Sequence, residues 1–152
     1  MFHRIAFSIA LLMCQVAQAD QPISFSPERG VLASAYLSGG TLKIQLRGSK
    51  DAVQVFELDG VNTAHLALRR VKGQLNPYVE VWQIDEGNGT YTIHHLFAYH
   101  PKRRDFIELQ PKCGEQYINL KPQSHRAELV YSAFSTELSN WRVCIEPQRT
   151  PP

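Results

Sequence analysis

The sequence predicts an all-β fold: a single-domain antiparallel β-sandwich, jelly-roll-like, stapled by one disulfide. Three observations predict it. Apolar residues recur at every second position over most of the chain, the period of a strand with one face buried. Short runs of this kind are separated at regular spacing by Gly, Pro and Asn, which turn the chain. Two cysteines, Cys113 and Cys144, remain to pair once an N-terminal leader is set aside. There is no long amphipathic helical period, no coiled-coil heptad and no internal repeat.

Residues 1–19 read as a secretory signal peptide, with Arg4, an apolar run over 5–13, and Ala17-Gln18-Ala19 as a small-x-small cleavage site. Lipid attachment at Cys14 would need a small residue before it, and Met13 is bulky. Cleavage after Ala19 removes Cys14 and sends the remaining pair to an oxidising compartment, periplasmic or extracellular. In a eukaryotic setting Asn88-Gly89-Thr90 would accept a glycan.

Removing 19 of 152 residues leaves 133, the size of one domain, with a sandwich over 20–147 and a tail over 148–152. Losing Arg4 leaves 15 basic against 14 acidic residues, a net charge of +1. That balance gives no general attraction to nucleic acid or anionic lipid. No apolar run beyond the leader is long enough to span a bilayer. The Cys113–Cys144 bond would close a loop whose chain-entropy contribution is roughly 3–4 kcal/mol. Cys-x-x-Cys spacing is absent, and no further thiolate is at hand for a tetrahedral metal set, so the pair reads as a structural staple.

The elements follow in order. Residues 20–30, with Pro22 and Pro27, read as an extended lead-in. Residues 31–37 form a strand, and Ser38-Gly39-Gly40 turns the chain. Residues 41–47 alternate cleanly, with Leu42, Ile44 and Leu46 on one face. Strands follow at 53–58 and 64–71, the second also compatible with a short helix. Residues 78–84 and 90–99 form a hairpin about Asn88-Gly89, a composition suited to a two-residue type I′ turn. That turn sets Ile84 opposite Ile93, Trp82 opposite His95, Tyr78 opposite Tyr99, and Val81 opposite Leu96. Tyr78, Trp82, Tyr91, Phe97 and Tyr99 then share one face. Further strands are expected at 105–110, 116–120, 127–134 and 140–146. The last carries Trp141, Val143 and Ile145 on one face and Cys144 on the other.

Two groups of residues stand out as binding candidates. The aromatic row Tyr78, Trp82 and Tyr99, with His95 beside it, either forms inter-sheet core or displays flat rings that stack on sugars. The link His100, Lys102, Arg103 and Arg104 is the densest positive cluster. It is a solubilising loop or a docking patch for an anionic partner.

Catalytic residues are not expected. No serine sits in Gly-x-Ser-x-Gly, and Asp85-Glu86 lies at a loop tip and not across a cleft. No metal or cofactor is expected either. His94 and His95 point to opposite faces of a strand, and the 85–89 stretch lacks the alternating acids and distal Glu of a calcium loop. The sequence thus points to an exported, non-catalytic protein that binds another protein, of inhibitor, immunity or assembly-factor type. Two alternatives stay open: a carbohydrate or cell-wall binding module on the aromatic face, and a small hydrolase built on His95 with an acid such as Glu80.

Overall fold

The computed structural model describes residues 21–48, 53–58, 64–70, 76–85, 90–121, 128–135 and 138–147. They form two antiparallel sheets packed together as a β-sandwich, with no helix among the described residues. The expected leader, the Asn88-Gly89 turn and the tail lie outside them.

The first sheet is a four-stranded meander of β1 (Ile23–Glu28), β2 (Val31–Ser38), β3 (Thr41–Leu46) and β4 (Val53–Glu57). The second sheet has seven strands. They are β5 (His65–Arg69), β6 (Tyr78–Asp85), β7 (Tyr91–His100), β8 (Asp105–Glu108), β9 (Tyr117–Ile118), β10 (Glu128–Ser135) and β11 (Asn140–Pro147). Their order is β11-β10-β9-β7-β6-β5. β7 pairs with β6 along one edge and divides the other, with β9 beside Ile93 and His94 and β8 beside Phe97 to His100. The jelly-roll-like connectivity expected from sequence is simpler in fact. The strands fall to the two sheets in consecutive blocks, and the chain crosses between them once, from β4 to β5.

Two differences from the sequence reading have clear causes. β1 lies inside the expected lead-in. Pro22 precedes the strand, and Pro27 sits at a register shift on an edge strand, where a missing N–H breaks no ladder. The β6–β7 register is one residue off the expected one, pairing Trp82 with His94, Val79 with Phe97 and Asp85 with Tyr91. Five residues therefore separate the closing pair, and a shift of one moves half of the expected aromatic face to the other side. Tyr78 and Trp82 share one face of the sheet; Tyr91, Phe97 and Tyr99 share the other.

β7 is consequently buried on both sides, and the seven-stranded sheet carries a core on each face. One core lies between the sheets. Ala33, Ala35, Leu37, Leu42, Ile44 and Leu46 of the first sheet meet Val79, Val81, Phe97, Tyr99 and Phe106 of the second. Small alanines on β2 leave room for rings: Phe25 meets Phe106 edge-on at 5.9 Å, and Phe56 lies 4.6 Å from Phe97. Gln54 ties the sheets by a polar clamp. Its amide donates to the Phe106 carbonyl at 3.0 Å and accepts from the Phe106 N–H at 2.6 Å.

The second core lies on the other face, where Tyr78, Leu96 and Ala98 meet Tyr117, Leu129, Tyr131 and Ala133. The segment after β8 closes it. Cys113 is bonded to Cys144 of β11, with Cα atoms 6.4 Å apart. Beside that bond the buried Glu146 carboxylate accepts from the Lys112 N–H at 2.9 Å, the Tyr117 hydroxyl at 2.9 Å and the Tyr131 hydroxyl at 3.2 Å. Burial pushes the Tyr131 phenol up; the Cys113 N–H opposes that, and the neighbouring Glu146 charge adds to it.

Candidate functional site

A single sheet face runs from covered to uncovered across the second sheet. The cross-strand row Gln83, Ile93, Ile118, Ser132, Val143 shows that Val143 projects on the same side as Ile93. On β7 that side continues to Phe97 and Tyr99, which lie in the inter-sheet core. The first sheet covers β5 to β8, and no residue of β9 to β11 joins the core it forms.

What is left uncovered is mostly apolar. β10 and β11 are in register over eight residues without a bulge, so their side chains alternate strictly. Leu129, Tyr131, Ala133, Cys144 and Glu146 point into the second core and its polar border. The opposite face therefore carries Glu128, Val130, Ser132 and Phe134 from β10 and Trp141, Val143, Ile145 and Pro147 from β11. Trp141 is 52% exposed, Val143 66% and Ile145 64%. Phe134 sits opposite Trp141 with ring centroids 5.5 Å apart, and Tyr91 lies 6.0 Å from Trp141.

These three rings border a groove of about 700 Å³, lined also by Thr90, Ile118, Asn119 and Ser132. Asn119 holds the floor. Its φ of 49° places it in the left-handed region, which asparagine tolerates. Its side-chain oxygen accepts from the Thr92 N–H at 2.9 Å and the Thr92 hydroxyl at 3.2 Å, while its own N–H donates to the Thr92 carbonyl at 2.8 Å. The Tyr91 phenol is pushed up by its hydrogen bond to the Asp85 carboxylate, so it stays a neutral donor.

The residues singled out from sequence are dispersed. Tyr78 and Tyr99 are buried, in different cores. Trp82 is half-buried and stacks on His65 at 4.2 Å. Tyr99 alone of the three joins the inter-sheet core, Tyr78 fills the second core and Trp82 lies outside both, so the three form neither one inter-sheet core nor one displayed row.

His95 hydrogen-bonds Glu108 at 2.8 Å and lies on the face opposite Glu80, so the His95–Glu80 pair expected for a hydrolase is not formed. Glu80 instead meets its diagonal neighbour His94 at 2.7 Å and takes a two-pronged contact from Arg69 at 2.7 and 2.9 Å. Burial pushes the Glu80 carboxyl up, but the His94 and Arg69 hydrogen bonds and the Arg69 charge outweigh it, leaving the carboxyl below its ordinary value. The His94 Nε2 is buried without a hydrogen-bond partner.

Pro101 to Arg104 form the turn joining β7 to β8. The His100 Nδ1 accepts from the Arg103 N–H at 3.2 Å, and the Arg103 guanidinium is bonded to Asp105 at 2.6 and 2.9 Å. Lys102 and Arg104 are exposed beside it. This turn and Tyr91 stand at opposite ends of β7, about 30 Å apart by strand rise, so one small ligand does not reach both.

Among the described residues no three His, Cys, Asp or Glu side chains gather as a metal set, and no helix is long and apolar enough to cross a membrane. Comparison with known protein families, with curated proteins and with solved structures returns no match.

Proposed function

We propose that the protein acts by binding, and that it engages another polypeptide through the uncovered face of β10 and β11. The supporting observation is the group of Val130, Phe134, Trp141, Val143 and Ile145 gathered on one face of a disulfide-tied strand pair. Exposed apolar patches of this extent mark interaction sites, and Trp and Tyr are the side chains that most often anchor them. Elsewhere the exposed aliphatics are diluted. On the outer face of the first sheet, Val53 and Val55 alternate across strands with Gln45 and Lys43. In this reading the protein is exported, folds around its disulfide, and presents the hairpin to its partner. A photo-crosslinking side chain in place of Val143, irradiated in the native extract, should yield a discrete protein adduct. No adduct, at a protein level that crosslinks elsewhere, would remove the reading.

A second reading has one observation in its favour. The groove bordered by Tyr91, Phe134 and Trp141, with Asn119 and Ser132 in its lining, combines ring faces and hydrogen-bonding groups as a sugar site does. A glycan or cell-wall fragment would then stack there, and not on Tyr78, Trp82 and Tyr99. The chain has two tryptophans, so Trp82→Phe isolates the signal of Trp141. A fluorescence response to a glycan panel in that variant, lost in Trp141→Ala, supports this reading; a silent panel ends it.

A further inference from the structure

We infer that the polypeptide covering the β10–β11 face is a second copy of this chain, packed face to face about a two-fold axis. The inference rests on the binding reading above and names its partner.

The patch is chemically self-matching. A two-fold contact places the same surface on both sides, so charges within it would meet like charges. Val130, Phe134, Trp141, Val143 and Ile145 contribute none, Ser132 is polar and uncharged, and the one charged side chain that alternation puts on this side, Glu128, stands at the end of the face opposite Pro147. The charged groups of β11 belong to the other side of the strand, where Arg142 projects away and Glu146 is buried against Tyr117 and Tyr131. The centre of the face offers a strongly charged partner nothing to pair with, whereas an identical apolar face fits there and leaves Glu128 at its border. The whole chain is close to neutral, at formal +2, so two copies repel each other little.

The area is sufficient. Phe134, Trp141, Val143 and Ile145 are 46%, 52%, 66% and 64% exposed. Together these fractions amount to roughly 400–500 Å² of surface for side chains of this size. Two copies hide about twice that from these side chains alone. Val130, the flanking rings and the strand backbone carry the total past the roughly 1,000 Å² a stable interface needs. Sheet faces pack about 10 Å apart, so the second copy would do for β10 and β11 what the first sheet does for β5 to β8.

The purified, disulfide-bonded protein is examined by sedimentation from micromolar to high micromolar concentration, as wild type, Val143→Arg, Ile145→Lys and Val55→Arg. The expected result is twice the chain mass for wild type and Val55→Arg, and a monomer with unchanged circular dichroism for Val143→Arg and Ile145→Lys, with wild type melting above these two at high concentration and approaching them on dilution. Two results overturn the inference. One is a wild-type monomer throughout; the other is a dimer that survives both β11 substitutions. If the crosslinker at Val143 still captures a protein of another mass, the binding reading stands while this inference falls. If it captures nothing and β11 substitutions change no association, both fall.

Discussion

Glu80 is held by Arg69 and His94 in a largely buried site, and its charge therefore contributes to stability. Replacing it by Gln strands the Arg69 guanidinium with its main partner gone. Breaking such a pair on one side is expected to cost about 3–5 kcal/mol. Urea unfolding of Glu80→Gln checks this, and a loss below 1 kcal/mol would show that the Lys121 carbonyl, which Arg69 also reaches at 2.9 Å, suffices. The folded-state pKa of Glu80 lies below its ordinary value, so its contribution is fully present above the usual carboxylate range. It is lost as pH falls through the lowered folded pKa. Wild type should lose stability on acidification in that window, and Glu80→Gln should show a shallower acid slope. Equal slopes would assign the acid sensitivity to other carboxylates.

The hairpin of β10 and β11 shows how one strand pair serves two ends. Its inward side builds a core, and its outward side is left mostly apolar and exposed. Trp141→Ala should therefore change stability by no more than about 1 kcal/mol, close to the range of surface substitutions, while weakening association by tenfold or more. Calorimetry and sedimentation on the same sample test the two halves, and a large loss of melting temperature would mean that the rings of Phe134, Trp141 and Tyr91 support the sheet. Phe97, fully buried against Phe56, is the contrasting case: Phe97→Ala should cost about 3–5 kcal/mol. Gly114, beside the disulfide, is constrained twice. Its φ is 83°, and an added Cβ would meet the Ala133 Cβ at 2.8 Å. Gly114→Ala should destabilise the segment after β8, seen as faster amide exchange around Lys112 and Cys113 and not across β2 and β3.

Across the whole molecule, the disulfide joins the segment leaving β8 to the edge strand of the same sheet. It secures the second core and does not link the two sheets. Converting Cys113 and Cys144 together to Ser should lower stability by roughly 3–4 kcal/mol, given the loop of that length. The polar network on Glu146 remains in that variant, so the chain should still show strand-dominated circular dichroism. Collapse to an unfolded spectrum at room temperature would mean that the hydrophobic burial in this sandwich is weaker than its two cores imply.

Setting the leader aside left Cys113 and Cys144 to pair, and alternation by two with the turn residues determined, without any structure, the all-β class and ten of the eleven described strands to within a few residues. These are local properties: a side chain two positions on faces the same way whatever the rest of the chain does. β1 escaped because Pro22 before it and Pro27 within it mask a short alternation that makes sense only at a sheet edge. Even the exposed face of β11 was partly legible, since a cysteine bonded inward obliges Trp141, Val143 and Ile145 to point out. Register was not legible. One residue of slip across β6 and β7 costs little in local pairing, yet it moved Glu80 from His95 to His94 and split the aromatic row between the two faces of the sheet. Which apolar face goes uncovered was decided only in the tertiary structure. It depends on how far the four-stranded sheet extends over the seven-stranded one, and no single strand carries that information.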